Sequence, residues 1–144
     1  MDLDLEFIRS KISYISQDEI LFNDSIYNNL NIVCNDEEKI KKACMITGLD
    51  KYLFNNNIDL SYYLEEGGSN LSGGERKRII ITRSLLKDSE VLIFDEVFNE
   101  IDVDEEEKIL KNIIKEYSDK IIIFISHREN NKFLFNKFYE LKGD

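Results

Sequence analysis

Apolar and polar positions alternate over Lys11-Ile12-Ser13-Tyr14-Ile15-Ser16, which predicts a strand at about 11–16 with Gln17 directly behind it. Residues 24–33 predict a short helix and a loop. Asp36 opens a helical stretch in which Ile40, Ala43 and Cys44 recur at helical spacing, and Gly48 is its natural stop. Residues 49–54 predict another short helix, and 55–57 and 65–70 predict loops. Ser72-Gly73-Gly74-Glu75 fits the capping box S-x-x-E, so a helix should run from there to about Leu86. Val91-Leu92-Ile93-Phe94 is a continuous apolar run, the pattern of a strand buried on both faces, and it ends in Asp95-Glu96. Asp102 can cap a helix at about 103–117, with acidic residues in its first turn and Leu110, Ile113, Ile114 and Tyr117 as its apolar stripe. Residues 121–125 read as a second buried strand, followed by Ser126-His127, and 133–141 as a final edge strand. From residue 73 onward the order is helix, strand, helix, strand, strand, which favours an α/β fold with a parallel sheet.

Composition narrows the function classes. Nineteen basic and 29 acidic residues give a net charge of −10, which argues against a large nucleic-acid footprint and for no nucleic-acid partner. A small phosphate site held by backbone N–H groups and a metal remains compatible with that charge. Hydrophobic residues make up 42%, enough for a core rather than a disordered chain. No apolar run reaches the roughly 18–20 residues of a membrane-spanning helix, and the acidic first residues do not read as a targeting peptide. Two cysteines, Cys34 and Cys44, make no disulfide framework, so a reducing setting is the default.

Four short segments carry candidate chemistry. In Leu71-Ser72-Gly73-Gly74-Glu75 a glycine turn leads into a helix N-terminus, whose free N–H groups and Ser72 hydroxyl can bind an anion. Taken alone, the same residues also make an ordinary capping box. Asp95 and Glu96 stand at the carboxyl end of a strand, where open α/β sheets bind ligands. One carboxylate can hold Mg²⁺ and the other can act on an attacking water. A solvated acidic turn is the plainer reading of that pair. His127, the only histidine, and Gln17 also follow strands, and either can equally be an exposed polar residue.

The joint order of these segments resembles the ATP-binding cassette (ABC) ATPase family over nearly the whole sequence. Ile12-Ser13-Tyr14-Ile15-Ser16-Gln17 is similar to the Q-loop, Leu71 to Glu75 to the signature motif, and Val91 to Glu96 to Walker B with its catalytic glutamate. Asn99-Glu100-Ile101-Asp102 lies where the D-loop lies, and His127 matches the switch histidine. The run from Leu21 to Leu30, and Glu66-Gly67-Gly68 before the signature, look most like the exporter branch. The D-loop commonly reads Ser-Ala-Leu-Asp, so Glu100 adds a charge that would lie at the dimer seam. Walker A, G-x-x-x-x-G-K-[ST], would precede the Q-loop, yet no glycine precedes Gln17 in this sequence. The one G-x-x-x-x-G spacing, Gly68 to Gly73, continues with Gly74 and overlaps the signature.

The resemblance implies a partial P-loop NTPase-like (RecA-like) parallel sheet core with a helical signature subdomain. Residues 1–144 would form an incomplete ABC ATPase domain, with about 18–88 inserted between 1–17 and 89–144 of the core. It further implies Glu96 and His127 as catalytic residues, and Gln17, Ser72, Gly73, Gly74 and Glu75 as ATP and phosphate contacts. Asp95 and Gln17 would be metal ligands and Asp102 a dimer-interface residue. The cofactors would be Mg²⁺ and ATP in a complete head-to-tail dimer. The partners would be a second ABC ATPase domain and the transmembrane domain of an exporter, which residues 21–29 would face. The location would be peripheral, on the cytoplasmic face of a bacterial cell membrane. With Walker A lacking, the isolated chain should bind ATP weakly and not hydrolyse it. Its sheet should expose apolar edges beside strands 91–94 and 121–125 and so self-associate or pair these strands in an altered way. Two other readings stand beside this one. One is half of a chromosome-maintenance or DNA-repair ATPase, disfavoured by the acidic charge and by the short, heptad-free stretch between Gln17 and Leu71. The other is a non-catalytic module that completes a partner's ATP site in trans.

Overall fold

A computed structural model describes residues 4–140, so the acidic residues 1–3 lie outside the described residues. The core is a three-stranded parallel sheet of β1 (Ile12–Ile15), β2 (Val91–Asp95) and β3 (Ile121–Ile125), in the order β1-β2-β3. Register matches Ile15 to Phe94 and Phe94 to Phe124, so the carboxyl ends of all three strands align. This is the α/β parallel-sheet class that the pattern predicts.

Six α-helices surround or connect the strands among the described residues: α1 (Leu5–Lys11), α2 (Ile26–Asn31), α3 (Glu37–Thr47), α4 (Leu49–Asn55), α5 (Gly73–Leu85) and α6 (Val103–Glu116). Local chemistry sets their ends. The side chains of Asp4, Ser25 and Asp36 accept backbone N–H bonds at the starts of α1, α2 and α3. Gly48 ends α3 with φ 69°, a left-handed conformation in which its N–H reaches Cys44 and Met45. Ser72 and Glu75 form the reciprocal capping box of α5. Asp102 holds the cap position of α6 but makes no side-chain cap bond there.

One face of the sheet is covered and the other is open. Ser13, Ile15, Leu92 and Phe94 are buried under α5 and its neighbours, and Ser13 donates to the Ser84 carbonyl. Phe94, Phe98, Phe124 and Phe135 continue this layer, with successive centroids 5.7, 5.5 and 5.5 Å apart. The opposite face carries Tyr14, Ile121, Ile123 and Ile125, all exposed. Strands 91–95 and 121–125 are therefore covered on one face, not two. Every second position lacks a packing layer, and β3 lies at the sheet edge. The edge expected to open beside 91–94 is closed, because β2 is central and paired on both sides.

Three further departures have local causes. Residues 5–11 form a helix ahead of β1, started by Asp4 and ended with Arg9 and Lys11 in its last turn. Residues 133–140 hold no strand but a 3₁₀ turn at Lys132–Leu134. Adjacent Leu134 and Phe135 both pack on the core, which a strand's alternation forbids, and Leu141 lies outside the described residues. Within 21–29, Leu21, Ile26 and Asn29 are buried, and Asn29 ties α2 to Phe22 through both backbone groups, so Phe22, Asn23 and Asn28 are the outward positions.

A buried ion pair locks the loop behind β2. Glu106 is 1% exposed, and its carboxylate takes Arg128 Nη1 and Asn131 Nδ2 at 2.8 Å each. Arg128 also donates to the Asn99 and Ile101 carbonyls, at 2.5 and 2.8 Å. Glu106→Ala strands these donors, so it should lower stability by about 3 kcal/mol in urea unfolding. A loss below about 1 kcal/mol would show that the pair does not hold the loop.

Candidate functional site

Parallel strands deliver three polar segments to one edge of the sheet. Gln17 follows β1, Asp95 and Glu96 end β2, and Ser126 and His127 follow β3. Asp95 and Glu96 are half-buried, whereas Gln17 and His127 are exposed. Glu96 takes φ 53°, a left-handed conformation that costs a non-glycine residue about 1 kcal/mol. Its N–H still bonds the Ile125 carbonyl at 3.0 Å, so the β2–β3 ladder holds the residue there. Its carboxylate lies 2.5 Å from His127 Nε2 and accepts from Asn99 Nδ2 at 3.3 Å. The arrangement pairs a carboxylate able to accept a proton with an imidazole on one strand-end platform.

Asp95 has a partner of its own. The Tyr14 hydroxyl donates to Asp95 Oδ2 at 2.5 Å across the β1–β2 pair. That bond first, then partial burial and the charges of Asp95 and Asp18, raise the Tyr14 phenol above its ordinary value of 10.0. Gln17 is held by its backbone: its carbonyl accepts from the Lys77 ammonium, which is largely buried on α5. Lys77 thereby links the segment behind β1 to the helix that begins at Ser72.

Ser72, Gly73, Gly74 and Glu75 are not part of that strand-end cluster. They line a separate cleft of about 430 Å³ with Tyr52, Arg78, Glu100, Ile101, Asp102 and Glu105. The Glu75 carboxylate turns back to accept the Ser72 N–H at 2.8 Å, and Ser72 Oγ accepts the Glu75 N–H at 3.4 Å. Burial, then its hydrogen bond with Glu75, pushes the Tyr52 phenol up to about 12. Arg78 crosses the cleft wall, donating to the Thr47 carbonyl at 2.8 Å and to Glu105 at 3.2 Å. Asp102 is exposed at the cleft mouth.

Tyr14, Lys77, Arg128 and the position of Glu100 are the residues that pattern reading passed over or placed elsewhere. Tyr14 fills an ordinary strand position and Lys77 an ordinary helix position, so neither carries a sequence signal. Glu100 stood out only as a charge in the D-loop-like segment.

Comparison with known proteins gives concordant matches. The family model described as ABC transporter matches residues 2–99. A lactococcin-G-processing and transport ATP-binding protein of Lactococcus lactis subsp. lactis is 38% identical over 129 residues, covering 88% of this chain and 18% of that protein. An ATP-dependent lipid A-core flippase of Vibrio vulnificus is 32% identical over 130 residues, covering 88% and 22%. A bacterial Atm1-family ABC exporter with ATP bound superposes with a TM-score of 0.78 at 29% identity, covering 83% of this chain and 21% of that one. The chain thus spans about a fifth of the length of these relatives.

The Tyr14–Asp95 bond is open to direct test. A raised phenol pKa favours the neutral folded form, so this contribution is present below pH 10.0 and is lost as pH rises through the raised value. The Tyr14 ¹³Cζ titration should have its midpoint above 10.0 and move down in Asp95→Asn. Equal midpoints in the two proteins would show that the bond is absent in solution.

Proposed function

The chain belongs to the ABC transporter family, with a parallel-sheet core of the P-loop NTPase type, and on that premise we propose that it is part of the ATP-hydrolysing subunit of an exporter. The observation that carries this reading is the division of its polar motifs between two faces. Three strand ends gather Gln17, Asp95, Glu96 and His127, while the start of α5 presents Ser72, Gly73 and Gly74 to a separate cleft. Two ATPase domains closing head to tail use such faces differently. One face serves the nucleotide on the domain's own phosphate loop and the other reaches the nucleotide of the partner.

On this reading Ser72 offers its hydroxyl, and Gly73 and Gly74 their backbone N–H groups, to the γ-phosphate of a partner's ATP, while Glu75 holds the turn through the capping box. Glu96 orients or deprotonates the attacking water, His127 grips the γ-phosphate, and Asp102 links the two sites across the dimer. The donor set suits Mg²⁺. That ion needs only one or two carboxylates beside phosphate oxygens and water, and Asp95 with the Gln17 side chain supplies such a set. When bound, the cation would offset charge on the phosphates. The Tyr14 hydroxyl bonds Asp95 Oδ2, which leaves the other lone pairs of the carboxylate for a cation. Residues of about 18–88 make the helical signature subdomain and 1–17 with 89–144 the core. Within 21–29, the outward positions Phe22, Asn23 and Asn28 face a coupling segment of the transmembrane domain. The place of action is the cytoplasmic face of a bacterial membrane. The transported substrate is selected by the membrane-spanning domains.

A second reading is favoured by the signature cleft lying apart from the strand ends. The chain would complete a partner's ATP site in trans without turning over ATP itself.

Calorimetry and phosphate release test both readings. The 144-residue chain should bind ATP more weakly than micromolar and show no turnover. Mixed with an ABC ATPase domain that carries its own phosphate loop, it should raise ATP turnover, and Ser72→Arg should abolish the gain. Turnover by the chain alone that disappears in Glu96→Gln would refute the dependence on a phosphate loop from elsewhere.

A further inference from the structure

The outer edge of β3 is unpaired among the described residues, and it carries none of the usual guards. The Ile121 N–H bonds the Glu90 carbonyl and the Ile125 carbonyl accepts the Glu96 N–H, so the backbone groups of Ile121, Ile123 and Ile125 face β2. Those of Ile122 and Phe124 alternate with them and face outward. All five residues are apolar, the register with β2 runs without a bulge, and the sequence contains no proline. Charge, proline and bulges are the features that keep such edges from pairing. On the open face Ile121, Ile123 and Ile125 are 63%, 43% and 42% exposed.

A second β3 fits this edge best in one register. Antiparallel pairing with Ile123 opposite Ile123 of the second copy sets Ile122 against Phe124. These are the two residues whose backbone groups face outward, so each pair exchanges N–H and C=O bonds. Ile121 then meets Ile125, and the exposed isoleucines of both copies line up on one face as close, non-hydrogen-bonded pairs. Beyond the strands Lys120 comes opposite Ser126, and exposed Asp119 comes opposite exposed His127, so no like charges meet. Moving the centre to Phe124 sets Lys120 against Arg128, and moving it to Ile122 sets Ile125 against Asp119. A centre between two residues sets open face against covered face.

We propose that two copies of this chain pair β3 with β3 in this antiparallel register about a two-fold axis, joining their three-stranded sheets into one. The surface is self-complementary, so the assembly closes at two copies. The contact is independent of the motif roles proposed above, and its failure would leave them in place.

Sedimentation equilibrium and disulfide capture on the 144-residue chain test it. At about 100 μM, above the micromolar end of standard interfaces, the chain should have twice the mass of one copy. Ile123→Lys sets like charges against each other at an exposed position and should give the mass of one copy, with circular dichroism unchanged. The cysteine variants are made with Cys34→Ser, which leaves only the buried Cys44. Ile123→Cys should oxidise to a crosslinked dimer, because its Cα would lie about 4.5 Å from its mate. Ile121→Cys should not crosslink with itself, its mate being about 14 Å away, yet it should crosslink with Ile125→Cys when the two are mixed. If the lysine variant unfolds, the cysteine pattern decides. The mass of one copy for the parent, open-ended assemblies, a dimer untouched by a folded Ile123→Lys, or self-crosslinking of Ile121→Cys as complete as that of Ile123→Cys would each overturn the pairing.

Discussion

The two parallel pairings of β2 set the geometry on which the rest of the molecule depends. With β1 on one side and β3 on the other, all three strands run the same way and end at the same level. Segments far apart in sequence, at Gln17, Asp95–Glu96 and Ser126–His127, then meet without any contact designed to join them. The left-handed Glu96 is a consequence: its N–H stays in the ladder with Ile125 while the chain turns away, which aims its carboxylate at His127. Strain of this kind persists where the surroundings over-determine it.

A second constraint links the sheet to the signature cleft. The loop behind β2 is pinned by the Glu106–Arg128 pair and by buried Val97, Phe98 and Ile101. That pinning lays Glu100 across Gly73 and Gly74 and places Asp102 at the cleft mouth. Lys77 closes the circuit by reaching both Glu100 and the Gln17 carbonyl. One short loop and one helix turn thus join the strand ends to the cleft. The glycines of the signature serve this packing directly, since a side chain at Gly73 has no room beside Glu100.

Much of this was legible in the residue pattern because it depends on local chemistry. Asp36 and Gly48 bound α3, and the Ser72–Glu75 capping box starts α5, since caps are settled within a few residues. Strands β2 and β3 follow from their apolar runs. What the runs could not show is how many layers would cover them, because burial depends on partners in space. Five apolar residues at 121–125 look alike in sequence, yet Ile122 and Phe124 pack on the core while Ile121, Ile123 and Ile125 stay exposed. The order of the site motifs was readable, and the contacts among them were not. The Tyr14–Asp95 and Glu96–His127 contacts require the register of three strands. Lys77 becomes significant only once α5 is packed against the segment behind β1.

The central proposal is that the groups at the strand ends, Glu96 above all, serve hydrolysis of a nucleotide held by a phosphate loop. Joining a strand, phosphate loop and helix from an ABC ATPase domain ahead of residue 4 tests it most directly, with ATP turnover as the readout. The account predicts turnover in the chimera that falls by about 100-fold or more in Glu96→Gln. A folded chimera that binds ATP yet turns it over no faster than its Glu96→Gln variant would contradict it.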